Sequence, residues 1–244
     1  MSLQRVGVTR YVTPLREGGS LPGIVEGNDL GTYVCKFRGA GQGIKVLVAE
    51  VIVAGLAETL GLATPRLVEL ELSADIARYE ADEEVQDLLT ASVGSNLGVD
   101  FLPGSFGFDT TTIVDAQTKA KVRWLDGFVG NVDRTWRNPN LLWWSTPATP
   151  GRLWLIDHGA SLIFHHGWGD QAGSPKRFAA SAYDARQHVF EHADAAVVDA
   201  ECAALLSDEA LAAAVARVPA SWTDHHAAYV EHLVARRDGE RPWL

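Results

Sequence analysis

"GNVDRTWRNPNLLWW", residues 130–144, sets Asn131, Asp133, Arg134, Asn138 and Asn140 against the start of an apolar, strand-like run. Polar groups at the edge of a buried strand are costly to desolvate unless something binds them. A second strand-like run, "LWLID" at 153–157, follows across a turn rich in Pro and Gly. Pairing the two as a hairpin brings their outer ends side by side, and with them Asp133, Asp157 and at least one Asn amide. Two carboxylates and an amide oxygen are ligands that Mg²⁺ takes, beside substrate phosphates and water. Taken singly, Asp133 reads as a turn cap and Asp157 as an Asx-turn ahead of His158-Gly159. Taken as a pair, they point to a metal site.

Working outward toward the N-terminus, "YVCKFRG" places Lys36 in a strand between Cys35 and Phe37. The glycine loop "RGAGQG" (38–43), read as mobile, leads into a helix from about Lys45 to Leu60, closed by Gly61 as a C-cap. Glu50 is the only ionisable residue between Lys45 and Glu58. A carboxylate on an apolar helix face needs a partner when buried, and Lys36, one glycine loop away, is a candidate. The alternative leaves Glu50 solvated at the helix edge and Lys36 an ordinary edge-strand lysine.

The rest of the chain gives the architecture. Short alternating stretches fill residues 5–37, with "EGNDLG" (26–31) as a hairpin turn between strands, because Asn, Asp and Gly tolerate positive φ. A strand is expected over 64–72, a helix over 73–92, a strand and Gly/Pro loop over 96–109, and a helix over 111–131. From about 176 onward the chain is Ala-rich and reads as mostly helical. This is an α+β chain of two lobes, a strand-rich one over residues 1–100 and a helix-rich one over 101–244, with the boundary near 97–106. Tryptophans 124, 136, 143, 144 and 154 read as core and hairpin packing, with Trp136 alone placed to shape an acceptor site.

Bulk properties narrow the function. The formal net charge of −10 disfavours coating nucleic acid or anionic lipid, so no direct nucleic-acid binding is expected. The longest apolar run, 46–57, is far shorter than the roughly 20 residues that span a bilayer, so no membrane insertion is expected. Two cysteines, Cys35 and Cys202, fit buried thiols in a reducing cytosol, and a cytoplasmic location is the default.

A strand Lys, a helix Glu, an Asp followed by an Asn entering a strand, and a hairpin ending in "IDHG" together resemble the protein-kinase-like fold. The nearest resemblance is to the HipA-like kinases, with a looser one to phosphatidylinositol 3- and 4-kinases, in which "DR" likewise precedes the Asn. It spans roughly residues 20–160, in the order and spacing of four elements. The resemblance implies an ATP- and Mg²⁺-dependent phosphotransferase. In it, Lys36 holds the ATP phosphates, oriented by Glu50. Asp133 is the catalytic aspartate, Arg134 beside it is a further catalytic residue, and Asp157 binds Mg²⁺. The family's spacing selects Asn138 as the completing metal ligand, whereas direct entry into the strand selects Asn140, which is preferred here. The backbone of "NLGVDFLPG" contacts adenine, through Val99, Phe101 and Leu102.

The chain departs from the family in lacking G-x-G-x-x-G ahead of Lys36; "EGNDLG" stands where a phosphate-covering loop belongs. The acceptor is open: a protein Ser/Thr hydroxyl, a small alcohol or an inositol lipid. A nucleotide-binding pseudokinase or interaction module without turnover is the alternative, followed by AMP transfer on the same scaffold. A metal-dependent hydrolase using Asp126, Asp133, Asp157 and His158 is a distant further reading.

Overall fold

Period-two alternation sets the N-terminal strands, since successive side chains in a strand point to opposite faces. The structure, a computed structural model, describes residues 2–16, 21–41, 43–78, 80–109, 111–168 and 175–244. Gln42 of the glycine loop and Tyr79 of the helix expected over 73–92 lie outside the described residues. By internal contacts the chain divides into one compact unit of residues 2–48 and 65–103 and another of 49–64 and 104–244. A single cut near residue 100 misses the second segment of this division, because residues 49–64 cluster with the C-terminal part.

The first unit is a closed barrel of β1 (Gln4–Pro14), β2 (Gly23–Gly27), β3 (Thr32–Lys36), β4 (Leu67–Leu72) and β5 (Gly94–Asp100), in the order β1-β2-β3-β5-β4. All neighbours are antiparallel except β1 and β4, whose parallel pairing of Gln4 with Val68 closes the ring. Val6, Val25, Tyr33, Cys35, Val68, Leu70 and Leu72 fill its core. The turn after β2 holds the expected hairpin, but Leu30 takes the positive φ (65°), not Asn28, Asp29 or Gly31. Asn28 is bonded in both directions to Gly7, and Asp29 accepts from the Tyr33 hydroxyl at 2.6 Å, so "EGNDLG" is a pinned turn. The loop after β3 is likewise tied at its start: the Arg38 N–H donates to Asn96 Oδ1 at 2.9 Å and the Gly39 N–H to Ser92 Oγ at 3.1 Å.

α1 (Ile44–Thr59) is apolar all round and buried from Leu47 to Ala57. It ends in a Schellman motif, with Gly61 at φ 77° and the Leu62 N–H donating to the Ala57 carbonyl. The helix expected over 73–92 is two short ones, α2 (Ala74–Arg78) and α3 (Glu83–Ala91). The second is started by Asp82, whose side chain accepts from the Glu84 and Val85 N–H groups.

In the second unit, α4 (Ala116–Val129) follows its Asp115 cap, starting five residues later than 111, and ends at Gly130 with φ 66°. A three-stranded sheet holds β6 (Phe106–Gly107), β7 (Leu141–Thr146) and β8 (Thr149–Leu155). Trp124 is fully buried, stacked on Phe128 and edge-on to Trp243, both with ring centroids 5.1 Å away. Trp144 packs edge-on against Trp154 in the hairpin, whereas Trp136 stays 59% exposed. The Ala-rich region is less helical than its composition suggests. Short 3-10 turns at Pro175–Phe178 and Ala195–Val198 precede α5 (Asp199–Leu205), α6 (Asp208–Val215) and α7 (His226–Asp238).

Candidate active site

The β7/β8 register pairs Leu141 with Leu155, so the residues just outside the hairpin face one another at its mouth. There the Ile156 N–H donates to the Asn140 carbonyl at 3.1 Å, and Asp157 follows directly. Asn140 (φ 49°) and Asp157 (φ 54°) both adopt the left-handed conformation, which costs non-glycine residues energy and concentrates at functional sites.

Asp133 sits in the loop between α4 and β7. Its Oδ2 accepts from Asn138 Nδ2 at 2.9 Å and from Asn140 Nδ2 at 3.1 Å, while Oδ1 accepts no hydrogen bond among the described residues. Its N–H donates to Asn131 Oδ1 at 3.0 Å. The structure therefore brings Asp133, Asn138 and Asn140 into one hydrogen-bonded group. Each amide spends its N–H on the carboxylate and keeps its carbonyl oxygen for another ligand. Asn138 is exposed and Asn140 half-buried. Oxygen donors of this kind suit a hard cation such as Mg²⁺ and not a thiophilic one. Among the described residues no cluster of three or more His, Cys, Asp or Glu forms a metal site of another kind.

Arg134 is placed otherwise than a catalytic residue requires. It is fully buried, and its guanidinium binds Asp126 Oδ2 through Nε at 2.7 Å, the carbonyls of Asn140 and Ile156, and His158 Nδ1 at 3.1 Å. With its donors turned inward it cannot touch a substrate; it ties the Asp133 loop to both strands of the hairpin. Asp126, expected from sequence only as a hydrolase ligand, is the anchor of this arrangement and is itself closed to solvent. It accepts from Arg134, from Asn131 Nδ2 at 3.0 Å and from His188 Nε2 at 3.0 Å. The Phe190 N–H donates to His188 Nδ1, which assigns the proton to Nε2. Burial pushes the Asp126 carboxyl up, but Arg134 and His188 outweigh it and hold its pKa below the ordinary value. A carboxylate so committed is no metal ligand, which removes the hydrolase set.

Glu50 is buried, 2% exposed, and its Oε2 accepts the backbone N–H of His158 at 2.9 Å, fixing the residue after Asp157. Lys36 lies in the other compact unit. Tyr33 and Cys35 of β3 face the barrel core, which puts Lys36 and Val34 on the opposite face. Val34 pairs with Val99, so Val99 and Lys36 share that face. The expected adenine contacts are narrowed by the backbone. The Asp100 N–H donates to the Arg66 carbonyl and that of Phe101 to the Thr32 carbonyl at 3.0 Å. Among the described residues the Leu102 N–H makes no backbone bond.

The HipA-like kinase family matches the chain over residues 8–237. The chain belongs to that family. No curated protein matches it. Among solved structures, the Helicobacter pylori proinflammatory kinase CtkA is 10% identical, covering 97% of this chain and 94% of its own at a TM-score of 0.57. The Golgi casein kinase covers 97% of this chain and 72% of its own at 12% identity and a TM-score of 0.48. Its Mn/ADP-bound structure covers 99% and 74% at 11% identity and 0.46. At such identities the CtkA likeness speaks to the fold, which is the α+β protein-kinase-like one. The HipA-like chain is thus a kinase-like phosphotransferase by family. No helix among its described residues is long and apolar enough to cross a membrane.

Proposed function

We propose that this HipA-like chain transfers the γ-phosphoryl group of ATP, with Mg²⁺, to a hydroxyl of a protein or small-molecule acceptor. The observation that carries the reading is the Asp133 carboxylate. Two Asn amides hold its Oδ2, and Oδ1 is left open at the mouth of the hairpin that delivers Asp157. In this reading Asp133 orients the acceptor hydroxyl and takes its proton, at the side of the carboxylate with no other bond. Asp157 and Asn140 would hold Mg²⁺, with Asn138 the secondary candidate, and the ion would supply positive charge to offset that of the phosphates. Lys36 holds the phosphates and Glu50 orients it. Val99, Phe101 and Leu102 line the adenine site, Leu102 supplying the backbone N–H.

Catalysis of this kind rests on positioning and charge, and the Arg134–Asp126 pair supplies the rigid support that positioning needs. Thermal unfolding with ATP, with and without Mg²⁺, on wild type and Asp157→Ala tests the reading. At a hundred times its dissociation constant, nucleotide adds about 2.7 kcal/mol to the folded state. A Mg²⁺-dependent rise lost in Asp157→Ala is expected. No shift at saturating nucleotide overturns ATP use and favours an interaction module without turnover.

A further inference from the structure

α7, at the end of the Ala-rich region, carries an arginine in an unusual setting. Arg236 is 1% exposed, and no carboxylate lies within ion-pair distance of it among the described residues. A buried cation without a counter-ion needs other compensation. Here it is given by four backbone carbonyls. Nη2 donates to Gly127 at 2.7 Å, Nε to Phe128, and Nη1 to Ala179 at 2.8 Å and Ser181 at 3.0 Å. Burial lowers the guanidinium to about 10, so it stays charged at neutral pH.

The first two carbonyls belong to the last turn of α4, whose orphan acceptors carry the negative end of the helix dipole. The neighbouring orphans are already taken, Asp126 by the Asn131 N–H and Val129 by the Leu162 N–H. Arg236 therefore completes the cap of the helix that ends where the Asp133 loop begins. Its other two acceptors lie in the segment after the 3-10 turn at Pro175–Phe178, which has no helix or strand of its own to hold it. Two residues past Ser181, the Tyr183 hydroxyl donates to the Asn131 carbonyl at 2.8 Å. The Asn131 side chain joins Asp126 to the Asp133 N–H.

We infer that Arg236 and Tyr183 are positioning residues: α7 clamps the 179–183 segment onto the end of α4, and Tyr183 passes that constraint to the loop that presents Asp133. The inference concerns the same site as the phosphotransferase reading and rests on it for the kinetic part of its test. Deleting the clamp loosens the loop without touching nucleotide or acceptor.

The test uses the full chain with Tyr183→Phe, which removes one hydroxyl and keeps the ring that Arg123 overlies, and Arg236→Lys, which keeps the charge but not the fork. Hydrogen exchange is followed by mass spectrometry well below the unfolding temperature. Peptides covering 130–135 are expected to exchange at least tenfold faster in both variants, with those covering 116–125 unchanged. Where wild type transfers phosphate, kcat falls tenfold or more while KM for ATP holds. A structural role alone lowers the unfolding temperature and leaves exchange over 130–135 as in wild type; that result in Tyr183→Phe overturns the inference. So does an unchanged kcat in an active enzyme. If wild type transfers nothing, faster exchange over 130–135 upholds the positioning while the phosphotransferase reading fails on its own.

Discussion

Asn140 and Asp133 are joined by a 3.1 Å hydrogen bond from amide to carboxylate, although they stand seven positions apart in the chain. The bond couples the entry of β7 to the loop before it. If Asp133 receives the proton of the acceptor hydroxyl, Asp133→Asn keeps the shape and removes the base. Transfer is expected to fall by roughly 10²- to 10⁴-fold, with the ATP-induced rise in unfolding temperature retained. Labelled-phosphate transfer and thermal unfolding on one preparation check it.

The two amides that hold Asp133 differ in their surroundings, and the difference orders their variants. Asn138 is exposed, whereas Asn140 is half-buried in a left-handed conformation next to the hairpin. Asn138→Ala is expected to change transfer by about threefold or less, as loss of one exposed hydrogen bond does. Asn140→Ala is expected to abolish transfer and weaken the Mg²⁺ dependence of ATP binding. Asn140→Gly relieves the backbone yet lacks the amide, and should be as inactive. Equal activity of the two Ala variants would sink the assignment.

Arg134 and Asp126 form a fully buried pair 2.7 Å apart. Arg134→Met leaves the Asp126 carboxylate buried with His188 and Asn131 alone, and a broken buried pair costs about 3–5 kcal/mol. Arg134→Lys restores charge but cannot reach Asp126, the Asn140 and Ile156 carbonyls and His158 at once. Urea unfolding should rank stability as wild type, then Lys, then Met.

His232 of α7 is buried, with Nδ1 bonded to the Pro175 carbonyl at 2.9 Å. Burial lowers its pKa from 6.5 to about 4. The folded state thus resists a proton that the unfolded chain accepts. The stability tied to the neutral ring is whole above pH 6.5 and is lost progressively as pH falls toward 4. That loss is on the order of 3 kcal/mol, since each tenfold difference in proton affinity between the two states is worth about 1.4 kcal/mol. Stability measured by urea at steps from pH 7 to 4 should decline in wild type and decline less in His232→Gln.

Much of this arrangement could be read in advance because its signals are local. The hairpin showed itself in two apolar runs across a Pro/Gly turn, and α1 in a lone Glu50 among apolar residues and a closing Gly61. Other parts depend on distant partners. Asp126 stands between Leu125 and Gly127 near the end of α4, the same kind of polar intruder as Glu50. Its partner His188 lies 62 residues away with no local mark. Arg134 looked catalytic because it adjoins Asp133, but burial is set by what packs around a side chain and not by its neighbour in sequence. α4 starts later than the run of threonines suggests because Asp115, capping the Thr118 N–H, sets its first turn. The Ala-rich segment after 176 has helical propensity, yet Arg236 Nη1 takes both the Ala179 and Ser181 carbonyls, and tertiary contacts override so weak a preference.

The parallel joint between Gln4 and Val68 also sets an order of assembly. When a nascent chain has emerged only as far as β3, it can form the β1-β2-β3 meander, with both outer edges unpaired. Closing a long loop is entropically costly and slow, so the first half of β1, Gln4–Gly7, waits until β4 is made before it gains its strand neighbour. Until then the meander offers open strands to other chains; the pairing of Gln4–Gly7 with β4 closes the ring. The first strand of the barrel is thus among the last of its strands to be locked, so substitutions in Gln4–Gly7 are expected to lower the yield of folded protein more than its final stability.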